Sequence, residues 1–89
     1  MKDITETMSF ESDDFKRDNI KHVLRLVNEA LEERGYNSVN QLAGYLISND
    51  PAYISSHKNA RTIIQSADRY EIIEELVRFY LDSIKNGNE

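Results

Sequence analysis

The chain has 89 residues and a formal net charge of −5, and 30% of its residues are charged. This composition predicts one soluble globular domain, and the absence of cysteine excludes disulfides and thiolate metal sites. With no apolar run long enough to span a bilayer and no signal-like N terminus, we expect a cytoplasmic protein that binds protein rather than membrane or nucleic acid.

Residues 1–14 hold one lysine against five acidic residues and few side chains suited to a core. We expect a flexible acidic tail there, followed by a helical domain at 15–85 and a disordered C terminus at 86–89. The stretch ITETMSF at 4–10 alternates mostly apolar residues with hydroxyl side chains, which allows a short strand, although Glu6 interrupts the apolar face. The sharper interpretation is phosphorylation, which would add roughly 1.5 to 2 negative charges to an accessible hydroxyl.

The first helix is predicted from about Phe15 to Arg34. Asp13 and Asp14 suit its start, and Gly35 suits the left-handed residue that commonly ends a helix. Its apolar residues recur at steps of three and four and therefore share one face. They are Ile20, Val23, Leu24, Val27, Ala30 and Leu31.

A second helix is predicted at about 39–48, capped by Asn37 or Ser38. Gly44 inside it should weaken the helix unless a neighbouring group packs against it. Pro51 ends this helix and suits a single helical turn at 52–54. The predicted buried stripe consists of Val39, Leu42, Ala43, Leu46 and Ile47.

Two more helices complete the predicted domain. Ser55 or Ser56 would cap a third at about 57–66, with Ala60, Ile63 and Ile64 directed inward. Asp68 would open the last, at about 69–84, and Asn86 and Gly87 would stop it. The fold class is therefore all-α, a small compact bundle of about four helices. Apolar residues cover much of the last helix, which predicts that part of it is buried in a homodimer.

Positive charge is concentrated around the predicted third helix. His57, Lys58, Arg61 and Arg69 form the cluster where positive charge outweighs negative. The first turn of that helix would add unpaired N–H groups, so the cluster suits an anion such as a phosphate. The alternative is that these residues form a solvated face without a ligand. The other histidine, His22, is expected to be an ordinary, partly exposed side chain.

The sequence offers little support for an enzyme. It has no glycine-rich phosphate loop and no pair of histidines at metal-ligand spacing, so we expect no catalysis, no metal and no cofactor. The acidic pairs at 32–33 and 74–75 are interpreted as solvent-facing. Two alternatives remain open: a helix-turn-helix-like nucleic-acid-binding protein, which the net charge disfavours, and a small hydrolase built on His57.

The run GYNSVNQLAGYLISNDPAYISSHKNAR at 35–61, followed by EIIEELVRFYL at 71–81, resembles the IreB family of small regulatory phosphoproteins in Gram-positive bacteria. The resemblance implies a cytoplasmic helical homodimer without catalytic activity. It also implies phosphorylation of an N-terminal threonine by a transmembrane Ser/Thr kinase with PASTA repeats, reversed by a PP2C-type phosphatase. Members restrain cell-wall synthesis and cephalosporin resistance, in some cases by promoting ClpCP-dependent degradation of MurA.

The same resemblance assigns particular residues. Thr7 matches the family's phosphoacceptor, and Thr5 is offset by one residue from a second acceptor found in some members. The family's basic third helix is matched by His57, Lys58, Arg61 and Arg69. Ser56 and Gln65 stand where many relatives have arginine, so the basic patch is weaker here. The sequence also departs from the family pattern where Ser38 replaces a proline, Asn49 a glycine and Tyr70 an aspartate. We hypothesise that phosphorylated Thr7 docks on this patch; the competing hypothesis is direct repulsion of an acidic partner.

Overall fold

A computed structural model describes residues 4–87, with side-chain surroundings from residue 14 onward. Within this range the chain forms four α-helices and no strand, which confirms the all-α class. The helices are α1 (Ile4–Glu33), α2 (Ser38–Ser48), α3 (Ala60–Gln65) and α4 (Arg69–Lys85). Two short 3₁₀ turns, Pro51–Tyr53 and His57–Asn59, lie between α2 and α3. No helix in residues 4–87 is both long and apolar enough to cross a membrane.

Helix α1 begins at Ile4, well before the predicted start near Phe15. The added residues include neither proline nor glycine, and the polar residues among them lower helix stability by only a few tenths of a kcal/mol each, about the spread of ordinary propensities. The alternation in ITETMSF therefore belongs to a helix and not to a strand. Flexibility of the acidic segment stays a prediction, because the side chains of residues 1–13 lie outside the described part.

The buried face of α1 is the predicted one. Val27 and Leu31 are completely buried, Ile20, Val23 and Ala30 are nearly so, and Leu24 packs at the edge of the core. Gly35 has a φ of 76° and follows the end of the helix, as expected for a residue that must be left-handed. Helix α1 packs most extensively against α3 and also contacts α4.

The predicted buried stripe of α2 is partly wrong. Asn37 caps this helix, since its Oδ1 accepts from the N–H of Asn40 at 3.0 Å. The side that faces the core carries Tyr45, with Leu42 and Leu46 half-buried beside it. Three of the five predicted core residues, Val39, Ala43 and Ile47, lie instead on the exposed side.

The predicted third helix does not begin at His57. Lys58 and Asn59 both have left-handed backbones, with φ values of 50° and 63°, so the continuous helix starts at Ala60. Ala60 and Ile64 are completely buried, and Ile63 packs against the core, as predicted. Residues 49–59 separate α2 from α3, whereas a helix-turn-helix joins its helices by a turn of about three to four residues.

Helix α4 has the predicted boundaries to within one residue. Asp68 caps it by accepting from the N–H of Glu71 at 3.0 Å, and Gly87 follows its end with a φ of 79°. Asn88 and Glu89 lie outside the described residues, so disorder at 86–89 stays a prediction. The buried core comprises Ile20, Val23, Val27, Ala30, Leu31, Tyr45, Ile54, Ala60, Ile64, Ala67 and Ile72.

Candidate functional site

The predicted basic cluster is centred on the 3₁₀ turn His57–Asn59, which we call the basic turn. Its position is set by Ser55, whose Oγ accepts from the N–H of His57 at 3.1 Å. Ser56 precedes the turn without capping it through its side chain. Two successive left-handed residues other than glycine are strained, and such a conformation persists only when the surroundings enforce it.

Glu33, the last residue of α1, anchors the basic turn. Its Oε1 accepts from Nε2 of His57 at 2.6 Å, and its Oε2 accepts from Nζ of Lys58 at 2.9 Å. The bond from Lys58, followed by the bond from His57, holds the pKa of Glu33 below the usual glutamate value. This carboxylate was predicted to be solvent-facing; it is half-exposed, yet it balances the charge of the turn.

The two arginines of the predicted cluster are directed into the fold. Nε of Arg61 donates to the carbonyl of Ile54 at 2.8 Å, and Nη1 of Arg69 donates to the carbonyl of Leu46. Both side chains belong to half-buried residues. The four basic residues therefore form two pairs with different tasks: His57 and Lys58 bind a carboxylate, while Arg61 and Arg69 satisfy backbone carbonyls.

A second ionic cluster links α1 to α4, and the sequence did not reveal it. Glu75, predicted to be solvent-facing, is only 5% exposed. Its Oε1 lies 3.1 Å from Nε of Arg17 and 3.3 Å from Nη1 of Arg78. Lys16 adds a looser pair with Glu71 at 3.8 Å. The sequence feature that relates to this burial is spacing. Glu75 lies three residues after the fully buried Ile72 and therefore on the same face of α4.

The second half of α4 carries an exposed apolar surface, which we call the α4 apolar surface. Its residues are between 42% and 69% exposed, and they are Leu76, Val77, Phe79, Leu81 and Ile84. Charged residues of both signs adjoin it, namely Glu74, Arg78, Asp82 and Lys85. An apolar area with a mixed-charge rim is typical of a protein interface.

A family model described as IreB regulatory phosphoprotein matches residues 5–82 of this chain. The chain belongs to the IreB family. It is also similar to a UPF0297 protein of Ruminiclostridium cellulolyticum, at 45% identity over 86 residues that cover 97% of this chain and 98% of the relative. The family resemblance read from the sequence is confirmed, and the family description supports a regulatory role.

Both threonines predicted as phosphoacceptors, Thr5 and Thr7, fall within the range matched by the IreB model. Their side chains lie outside the described part of the structure, so their role stays a prediction. One departure from the family pattern has a clear physical reason. Asn49, where the family resemblance implied a glycine, ends α2 with a left-handed backbone (φ 60°), and asparagine tolerates that conformation better than other residues with a Cβ.

Proposed function

We propose that this IreB-family chain is a non-catalytic, cytoplasmic regulator whose activity is set by phosphorylation of Thr7, with Thr5 as a second acceptor. The kinase is a transmembrane Ser/Thr kinase with PASTA repeats, and a PP2C-type phosphatase reverses the modification. The family match supports the proposal most strongly, because it describes a phosphoprotein and spans both threonines. The regulated process is peptidoglycan synthesis, through ClpCP-dependent degradation of MurA, and with it cephalosporin resistance.

The test is phosphorylation of the full chain by the kinase domain from the same genome, with the phosphate located by mass spectrometry. We expect Thr7→Ala to remove most of the incorporated phosphate and Thr5→Ala to remove little. Thr62→Ala is the matched control, since Thr62 is an exposed threonine on α3. Undiminished phosphorylation of Thr7→Ala would reject Thr7 as the acceptor.

The contacts of the basic turn suggest how the phosphate acts. A phosphate carries roughly −1.5 to −2 charge and offers three acceptor oxygens, whereas Glu33 carries one negative charge in a half-exposed pair. Exposed pairs of this kind contribute little stability, so exchange of the carboxylate for a phosphate costs little. His57 and Lys58 are therefore the expected docking residues, ahead of Arg61 and Arg69, which already bind carbonyls. Thr7 and Glu33 lie near opposite ends of the continuous helix α1, about 39 Å apart at 1.5 Å per residue, so the phosphate would dock on the basic turn of the partner chain in the dimer.

Docking and direct repulsion make different predictions for NMR spectra of the phosphorylated chain. If the phosphate docks, amide signals of Glu33, His57 and Lys58 shift on phosphorylation, and Lys58→Gln reduces the shift. If the modified segment only repels an acidic partner, residues 57–69 keep their signals. Lys21→Gln, on the exposed side of α1, is the matched control for removal of one lysine charge.

We also propose that the protein is a homodimer joined through the α4 apolar surface. An isologous interface must be complementary to itself, and charged residues of both signs around one apolar area are compatible with that requirement. We expect light scattering to give twice the chain mass for the parent. Val77→Glu should reduce it to one chain mass, because two buried carboxylates would face an apolar surface. A dimer that survives this change would place the interface elsewhere.

A further inference from the structure

The exposed side of α2 carries a second apolar area, which we call the α2 outer surface. Val39 is 78% exposed and Ile47 is 85% exposed, and Ala43 lies between them on the same side. These residues recur every four positions and therefore line up along the helix. The ring of Tyr53, which is 53% exposed, packs on Gly44 of the same helix.

The ring of Tyr53 is fixed against the helix. A Cβ on Gly44 would lie 2.5 Å from Cδ1 of Tyr53, so the ring packs on the helix backbone where glycine leaves space. The turn that carries Tyr53 is held by Asp50, which accepts from the N–H of Ala52 at 3.0 Å through its side chain and of Tyr53 at 3.1 Å through its carbonyl. A rigid, half-exposed tyrosine packed on the helix that carries these exposed aliphatic side chains is a typical binding anchor.

The α2 outer surface lies in an uncharged part of the chain. The sequence has no charged residue from Gly35 to Asn49, between Arg34 and Asp50. A charged group pressed against Val39 or Ile47 would lose its hydration without gaining a counter-charge from α2. The side chains that contact this surface must therefore be uncharged and mainly aliphatic.

The size of the α2 outer surface indicates whether it binds a second copy of the chain or a shorter segment. A stable protein–protein interface buries about 800 Å² per partner and involves about 20 residues or more on each side. Three aliphatic side chains and one tyrosine are far fewer than that. The α4 apolar surface is the larger area, so the α2 outer surface fits a short segment rather than a second copy.

We propose that the α2 outer surface binds a short, uncharged, aliphatic segment of a different protein while the dimer forms through α4. Dimer formation through α4 rests on the function proposed above, whereas binding at α2 can be tested separately. Because the contacts are apolar, binding should depend weakly on salt concentration.

The experiment selects short random peptides on the full-length protein and titrates the enriched ones, as synthetic peptides, into isotope-labelled protein. We expect enriched peptides with an uncharged aliphatic centre, and amide shifts concentrated at residues 36–53. Ile47→Glu and the milder Ile47→Asn should weaken binding, the former by about tenfold or more, while the chain mass stays that of the parent. Thr62→Glu, exposed on α3, is the matched charge control and should bind normally, and Val77→Glu should bind even if it is monomeric.

Several results would overturn the proposal. They are failure to enrich any peptide, peptides with charged centres, shifts confined to residues 76–84, and unchanged affinity for Ile47→Glu. Loss of the dimer in Ile47→Glu while Val77→Glu remains dimeric would assign the α2 outer surface to a second copy. That last result would contradict both the binding proposal and the α4 dimer, whereas the others contradict the binding proposal alone.

Discussion

Nζ of Lys58 lies 2.9 Å from Oε2 of Glu33, and the backbone of Lys58 at that point is left-handed. The ion pair thus joins the last residue of α1 to a strained turn before α3. An exposed pair contributes little stability, whereas a left-handed residue with a Cβ costs about 1–2 kcal/mol. The conformation of the turn is therefore maintained by its neighbours as well as by this pair, notably the bonds that Ser55 and Glu33 make with His57.

Substitutions of Lys58 separate the loss of the ion pair from the relief of backbone strain. Ala and Gly both remove the ion pair, but glycine also relieves the left-handed strain, so Lys58→Gly should be more stable than Lys58→Ala by about 1 kcal/mol. At Lys21, inside α1, the order should reverse by about 1 kcal/mol because glycine is a poor helix former. Urea denaturation at one fixed protein concentration measures both differences. The same order at both positions would contradict the strained turn.

The pairing of Glu33 predicts a pH dependence with a definite sign. Its pKa is lower in the folded protein than in the unfolded chain, so its contribution to stability is present above the usual glutamate pKa of about 4.3 and is lost as the pH falls through the lowered value. The stability difference between the parent and Glu33→Gln should therefore shrink on acidification. Glu32→Gln, which removes the same charge from an exposed neighbour, is the matched control for the loss of one carboxylate.

Removal of the buried carboxylate of Glu75 should lower the free energy of unfolding far more than removal of the exposed carboxylate of Glu74. Glu75→Ala leaves Arg17 and Arg78 without their partner, and because both arginines remain partly exposed we expect a loss of about 2 kcal/mol rather than the full cost of an isolated buried charge. Glu74→Ala, an exposed change one residue earlier, should stay within about 0.5 kcal/mol of the parent. Equal effects in denaturant melts would show that the cluster does not join α1 to α4.

Gly44 and Tyr53 should be energetically coupled. Gly44→Ala improves helix propensity by about 1 kcal/mol, but its methyl group must displace the Tyr53 ring, so we expect a net loss of about 1 kcal/mol. With Tyr53→Ala already present, the same change should become stabilising. A double-mutant cycle measures this sign reversal, and strictly additive effects would contradict the packing of the ring on the glycine.

Periodicity predicted the helices that have one wide buried face. In α1 the three- and four-residue steps identified the core, and in α4 they also revealed the excess of apolar side chains. In α2 the five residues of the predicted stripe extend over about 140° of the helix at 100° per residue, and the core covers only the side next to Tyr45. Their pattern could not show which part of the arc would remain exposed, so Val39 and Ile47 were misassigned.

The sequence identified the residues of the basic cluster but not their geometry, and their role as a binding site stays a prediction. The sequence identified His57, Lys58, Arg61 and Arg69, yet no glycine or proline marked the left-handed backbone at Lys58, because the turn depends on tertiary contacts. The roles of Glu33 and Glu75 also depend on partners 24 and 58 residues away in sequence. Local propensity contains no information on such pairs.

Replacing Thr7 by alanine on the chromosome most directly tests whether the charge at this position sets the output of the protein. MurA abundance is measured in strains with and without the PASTA-repeat kinase, with Thr62→Ala as the matched control. We predict that MurA in the Thr7→Ala strain stays low whether the kinase is present or absent, whereas it depends on the kinase in the parent and the control. A Thr7→Ala strain whose MurA level still follows the kinase as in the parent would contradict the proposed regulation.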